Sequence, residues 1–387
     1  MWKKNIVLGV ITVLLFSIFP FQVVNAEEIN LAPNARSAIL IDQDTGTVLF
    51  EKNSHDRLPP ASITKIMTML LIMEAIDTGK ITFNDKVRIS EKAASMGGSQ
   101  IFLEVGEEMT VKDLLKGIAV ASGNDATVAM AEYIAGTEEE FVKMMNKKAE
   151  ELGLKDTHFV NTNGLPENDH YSTAYDIAIM SRELLKHEKI TEFTGIYQDY
   201  LRKDSPEPFW LVNTNRLVRF YQGVDGLKTG YTNEAKFCLS ATAKKGTFRV
   251  IAVVMGEPDS KTRNKEISEL LDYAFNQYKD EVLFKKDQFI TDVEVSKGAK
   301  SIIPLKAPYQ IGVLLKKGEK TEEFEQILVI KDQIQAPIQK GDILGKLQIV
   351  KAGKVVNEIP LIAAEEVPKA NLFQMFKKVL KKQFFVD

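Results

Sequence analysis

Pro59-Pro60, followed almost at once by Ser62-Ile63-Thr64-Lys65, constrains this chain more than any other stretch. The two prolines force an extended approach. Ile66, Met69, Leu70 and Met73 then recur at helical spacing, so a helix should begin at the serine. Residues three apart share a helix face, which sets Lys65 beside the Ser62 hydroxyl. A serine hydroxyl is a poor nucleophile until a base takes its proton. A lysine becomes that base when burial or nearby cations lower its pKa. The S-x-x-K pattern occurs once, and two short motifs follow it in order: Ser122-Gly123-Asn124 and Lys228-Thr229-Gly230. Lys228 is a candidate for the nearby cation. Ser-Gly-Asn alone is simply good turn composition, and its weight comes from the company it keeps.

The chain is 387 residues long, which favours two domains over one. It is 44% hydrophobic and 27% charged, ordinary for a folded soluble protein, and a net charge of −3 gives no reason to invoke nucleic acid. Lys3-Lys4, the apolar run Ile6 to Phe19 and Val24-Asn25-Ala26 read as a signal peptide over residues 1–26, with an uncleaved membrane helix as the alternative. Cys238, the only cysteine, lies in an apolar stretch and reads as a buried strand residue. His55, His158, His170 and His187 have no metal-ligand spacing, so no metal and no cofactor are expected.

Residues 27–283 read as the catalytic domain. Ala38–Ile41 and Val48–Phe50 flank a turn and predict a hairpin. Helices follow over Val111–Val120, Glu138–Leu152 and Ala174–Lys186, each preceded by a capping threonine: Thr110, Thr137 and Thr173. Phe237–Ala243 and Phe248–Met255 predict a second hairpin, and Ile267–Tyr278 a closing amphipathic helix. Strands at both ends with helices between predict an α/β (α+β) domain, an antiparallel sheet with helices packed on it. Residues 284–364 alternate β-rich segments with turns and read as a small β-sandwich, either a spacer from the membrane or a packing module. Residues 365–387 form the last segment. In it Leu372, Phe373, Met375, Phe376, Val379 and Leu380 fall within an arc of roughly 160°, with Lys377, Lys378, Lys381 and Lys382 opposite. That pattern predicts a helix lying in a membrane interface, or else one packed on the protein body.

The three motifs in this order resemble those of the low-molecular-mass penicillin-binding proteins, specifically the serine-type D-alanyl-D-alanine carboxypeptidases. Asn163-Gly164-Leu165-Pro166, His170 to Ala174, and Val253 to Gly256 followed by Arg263 extend the likeness over nearly the whole chain. The resemblance implies the penicillin-recognising serine transpeptidase/β-lactamase-like fold. It also implies removal of the terminal D-Ala from peptidoglycan stem peptides through a Ser62 acyl-enzyme, with β-lactams as covalent inhibitors. By the same resemblance Lys65 is the base and Ser122 relays a proton to the leaving amine. Asn124 binds the peptide amide. Lys228, Thr229 and Arg263 hold the terminal carboxylate, and Gly230 lets substrate approach the backbone. The N–H groups of Ser62 and Tyr231 form the oxyanion hole, worth roughly 2.7–4 kcal/mol per donor. Position 231 is often histidine in that family, so Tyr231 bears on rate or substrate preference. Endopeptidase, β-lactamase and non-enzymatic peptidoglycan binding remain alternatives. No class A-type E-x-x-x-N lies between the second and third motifs, and Ser62, Lys65, Ser122 and Lys228 are all intact. The expected location is the outer face of the cytoplasmic membrane, reached by export and held by the C-terminus.

Overall fold

A computed structural model describes residues 30–375. Residues 1–29, which include the expected signal peptide, and the chain after Met375 lie outside the described residues.

The predicted hairpins become one five-stranded sheet. Its order is Val48–Lys52, Ser37–Asp42, Phe248–Glu257, Lys236–Lys245 and Val224–Thr232. The two ends of the region meet at its centre, where Ile39 is opposite Val253 in an antiparallel pair. Val250 to Met255 are all fully buried, as expected for a strand covered on both faces. Helices Ala174–Leu184 and Ser260–Gln277 both pack against this central strand. The mainly helical stretch between Lys52 and Val224 is inserted into the sheet.

The helix Lys65–Asp77 runs through the core of that insertion, touching the helices Asn124–Ala135 and Ala174–Leu184. It is apolar on every side, as a fully enclosed helix must be. The threonine caps form as expected. The hydroxyls of Thr110, Thr137 and Thr173 accept from the N–H groups of Asp113, Glu140 and Asp176 at 3.1, 3.2 and 3.0 Å.

Two helices differ from expectation. The one predicted over Val111–Val120 is α-helical only to Lys116 and widens to a π-turn over Gly117–Ala121. Gly117 is pressed against Ile101, where a Cβ would stand 2.8 Å from the Ile101 Cδ1. The helix predicted from Ile267 begins at Ser260, capped by Asp259, whose Oδ1 accepts from Lys261 and Thr262 at 2.8 Å each. Its first turn is polar, so apolar periodicity could not reveal it. Arg263 is therefore a helix residue, and a buried one.

In the β domain Tyr278–Phe284 pairs with Ile311–Lys316. A five-stranded sheet runs in the order Phe289–Glu294, Ile302–Lys306, Lys354–Ala363, Ile343–Lys351 and Phe324–Ile330. Both sheets contribute to one core that includes Ile303, Val313, Leu347 and Ile359. Residues 365–370 belong to this domain and are not helical. Val367 exchanges two 2.9 Å backbone bonds with Ile338, and the Ala370 N–H donates to the Lys297 carbonyl. Helical structure starts only at Leu372, whose side chain is exposed along with Phe373.

One buried acid stands out. Glu257 ends the central strand with no exposed surface, and neither carboxyl oxygen meets an N–H or O–H donor among the described residues. Its neighbour is the Glu266 carboxylate, which accepts from the Asn34 and Ala35 N–H groups. Burial first, then the hydrogen bond to Glu266, pushes Glu257 up to about 8. A proton on Glu257 is what turns this pair of acids into a hydrogen bond. The folded chain holds that proton between the ordinary 4.5 and about 8, where the unfolded chain has lost it. Stability from this group is thus fully present below 4.5 and lost as pH rises toward 8. Glu257→Gln keeps a donor toward Glu266 without titrating. Its melting temperature should match the parent's near the low-pH end and exceed it above pH 8; parallel melting curves across this range would remove the shared proton from the account.

Candidate active site

The serine turn is built by what precedes it. After Pro60 the chain takes a 3-10 turn over Ala61–Thr64 and passes directly into the helix starting at Lys65. Lys65 is fully buried. Its Nζ lies 2.9 Å from the Ser62 Oγ, 2.7 Å from the Asn124 Oδ1 and 2.8 Å from the Asn163 carbonyl. Burial lowers its pKa well below the usual lysine value, and the Lys228 charge adds to the shift; Asp125 opposes it. A neutral amine has two N–H groups and one lone pair. The two asparagine oxygens take the N–H groups, and the lone pair is left for the Ser62 O–H.

Asn124 is fixed by its other end, because its Nδ2 donates to the Gly97 carbonyl at 2.7 Å. That fixes the oxygen toward Lys65, so both ends of the side chain expected to bind the peptide amide are already engaged. Ser122 follows the π-turn in the left-handed conformation, with φ at 64°. Its hydroxyl is buried and has no hydrogen-bond partner among the described residues. The wide turn that sequence could not reveal is what ends the helix at this serine.

The third motif lies on the edge strand Val224–Thr232. Lys228 is buried there. Burial, with the Arg263 charge adding to it, lowers Lys228 to about 7. Its Nζ donates to the Thr229 carbonyl at 3.1 Å. The Thr229 and Thr214 hydroxyls are 2.7 Å apart, and the Thr214 N–H reaches back to the Val120 carbonyl beside the second motif. Gly230 has a packing use beside the one expected. A Cβ there would stand 2.9 Å from the Pro60 carbonyl and 3.2 Å from the Ala61 Cβ, so the glycine admits the serine turn itself. The half-exposed Tyr231 ring leans on Phe237 at 4.4 Å, and its hydroxyl donates to Asn233. Arg263 donates from Nε and Nη2 to the Asn264 Oδ1 at 3.1 and 2.9 Å, and burial lowers it to about 10.

Ser62, Lys65 and Asn124 are thus joined by direct bonds, while Lys228 acts on Lys65 and Arg263 on Lys228 through charge. Sequence reasoning gave no role to Asn163, Thr64 or Thr214. The His170 Nδ1 accepts from the Val160 N–H, and burial holds the ring down to about 4. The neutral ring therefore carries its proton on Nε2 and donates to the Thr64 hydroxyl at 2.8 Å, bracing the serine turn. Cys238 is fully buried, and burial pushes its thiol up to about 11, the state of an inert core residue.

Gly164 carried the one signal for Asn163, because an Asn-Gly pair marks a tight turn. It has φ +86°, and a Cβ would stand 1.8 Å from the Ala61 carbonyl oxygen. Gly164→Ala should therefore lower stability by at least ~1–3 kcal/mol in denaturant titration, the usual cost of a left-handed non-glycine residue. Gly97→Ala, with open space at its Cβ, should change stability by no more than about 0.5 kcal/mol. Equal effects would mean that the Asn163 turn is not packed on the serine turn.

Comparison with known proteins agrees with this geometry. Residues 23–259 match the family model described as D-alanyl-D-alanine carboxypeptidase, and residues 278–369 match the model of the penicillin-binding protein 5 C-terminal domain. The D-alanyl-D-alanine carboxypeptidase DacF of Bacillus subtilis is 59% identical over 350 residues, covering 90% of each chain. DacC of Escherichia coli is 34% identical, covering 90% of this chain and 88% of its own. Penicillin-binding protein 5 from Haemophilus influenzae superposes with a TM-score of 0.69 at 32% identity, over 87% of this chain and 98% of that one. With its two domains matched in turn and its serine, lysine and Lys-Thr-Gly strand assembled around one buried cluster, the chain belongs to the serine D-alanyl-D-alanine carboxypeptidases, the low-molecular-mass penicillin-binding proteins.

Proposed function

We propose that Ser62 attacks the carbonyl between the two terminal D-alanines of a peptidoglycan stem peptide, and that Lys65 takes its proton. The observation that carries this is the 2.9 Å contact between the Nζ of the fully buried Lys65, flanked by the Lys228 charge, and the Oγ of the partly exposed Ser62. As the Oγ–C bond forms, the carbonyl oxygen becomes an oxyanion for the Ser62 and Tyr231 N–H groups. The tetrahedral intermediate collapses by breaking the C–N bond. Ser122, whose buried hydroxyl has no hydrogen-bond partner among the described residues, relays to the departing D-Ala amine the proton that Lys65 took from Ser62. Water then cleaves the acyl-enzyme. A β-lactam carbonyl occupies the place of the scissile carbonyl and leaves Ser62 acylated.

Lys228 and Arg263, with the Thr229 hydroxyl, form the cationic end that suits a free terminal carboxylate. Two cations driven below their usual pKa by burial are the form of site that gains most from an anion arriving. Substrate carboxylate therefore favours the protonated form of Lys228 in the complex.

Labelled penicillin should map to Ser62, and Ser62→Ala should abolish the adduct. Lys65→Arg should keep the fold and lose acylation, by about 10²-fold or more, because arginine stays protonated. Near-normal acylation of that variant, or a label elsewhere, would sink the assignment.

We also place the mature protein on the outer face of the cytoplasmic membrane, exported by residues 1–26 and held by its C-terminal segment. The exposed Leu372 and Phe373 at the start of that segment support the reading. Each lysine beyond them adds about 1 kcal/mol near an anionic surface. A truncation to test it should start at Asn371, because residues up to Ala370 are paired into the β domain. The truncated protein should remain in the supernatant with anionic vesicles and still react with penicillin. If it pellets as well as the full chain, the anchor lies elsewhere.

A further inference from the structure

The strand Phe324–Ile330 forms one edge of the five-stranded sheet in the β domain. Among the described residues it pairs with one strand, Ile343–Lys351, in a register without a bulge. The backbone groups on its other side face no second strand. Such an edge is a template for another chain, and proteins commonly guard it with proline, lysine or a bulge. None of these interrupts Phe324-Glu-Gln-Ile-Leu-Val-Ile330. Ile327, Leu328 and Val329 are 42%, 44% and 39% exposed, so both faces of the strand are apolar at the edge.

We propose that this edge is the interface with a second copy of the chain, the two strands pairing antiparallel about a two-fold axis at Leu328. The sequence is self-complementary in that register. Leu328 meets the partner's Leu328, and Ile327 meets the partner's Val329. Glu325 meets the partner's Lys331, and the symmetry makes this ion pair twice. Parallel pairing in the same register would set Glu325 against the partner's Glu325. An antiparallel slip of two residues sets Glu325 opposite Gln333 in one direction and Val329 in the other; in the latter Lys331 meets the partner's Glu323, a pairing that the double variant E325K/K331E would not restore. A slip of one puts paired side chains on opposite faces. Lys331 at present donates to the Ile343 carbonyl at 2.6 Å, which keeps its ammonium at this end of the strand.

The outer face extends the apolar strip. Val329 lines a groove of about 410 Å³ with Ile343, Lys346 and Pro360. Ile327 and Val329 of both copies would form one four-residue β-branched cluster beside it, the kind of cross-strand contact that stabilises a sheet. Pairing joins two five-stranded sheets into one of ten. None of the active-site residues lies on this strand, so both sites stay open to substrate.

The test is sedimentation equilibrium of the full chain over a wide concentration range, with circular dichroism to establish that each variant folds. The parent should show a monomer–dimer equilibrium. Glu325→Lys and Lys331→Glu should each weaken it on the order of tenfold, because two ion pairs become two like-charge pairs. The double variant E325K/K331E should recover the parent constant, a result peculiar to this register. Leu328→Cys should cross-link to its symmetry mate on oxidation, since directly opposed residues lie at disulfide distance and Cys238 is buried. A chain that stays monomeric throughout overturns the proposal. So does association that none of these variants alters, which would mean that the C-terminal segment or another surface brings the copies together.

Discussion

The site depends on keeping one lysine out of water. Lys65 sits at the start of a helix that is enclosed on all sides, and no solvent reaches its ammonium. A charge there is costly, and burial lowers the Lys65 pKa well below the usual lysine value. Everything placed around it serves the neutral form. Asn124 and Asn163 present oxygens that accept from an amine but carry no full negative charge. Asp125, the nearest acid, is turned away to the backbone N–H groups of Ile101, Leu103 and Ala126. An aspartate in place of Asn124 would hold the proton on Lys65; the Asn163 oxygen is a backbone carbonyl, which no side-chain change turns into an anion.

The cations extend this logic outward. Lys228 is itself lowered to about 7 and Arg263 to about 10, each mainly by burial. Three basic groups in one dehydrated region destabilise the empty protein. The penalty is tolerated because the surrounding framework is overdetermined: a central strand buried on both faces and a serine turn clamped from two sides. Gly164 and Gly230 are those two sides, and each has given up its side chain to the same turn, residues 60–63. The glycine of the third motif is in this sense a packing residue between the Ser62 turn and the strand Val224–Thr232.

Much of this was legible in the sequence because it is local. Threonine caps, hairpin alternation and the Ser62–Lys65 spacing are consequences of helix and strand periodicity, and they appear as expected. What was not legible is long-range. The partnership of Lys65 with the Asn163 carbonyl spans 98 residues and uses a backbone atom, which no side-chain pattern can announce. The π-turn at Gly117–Ala121 begins at a glycine packed on Ile101, again distant in the chain. The polar first turn of the Ser260–Gln277 helix hid the burial of Arg263, because the apolar face that covers it comes from the sheet.

That last helix also explains how two domains with separate cores behave as one molecule. Its first turn carries the buried Arg263, whose charge acts on Lys228, the helix packs on the central strand, and its last residue, Gln277, passes without a loop into the strand Tyr278–Phe284. The Gln277 carbonyl also accepts from the Lys317 N–H of the β domain. The helix is eighteen residues long, with Arg263 in its first turn. It is not the sole link between the domains, because Asp280 on the strand that follows it also bonds to Thr247 in the turn of the catalytic domain's second hairpin.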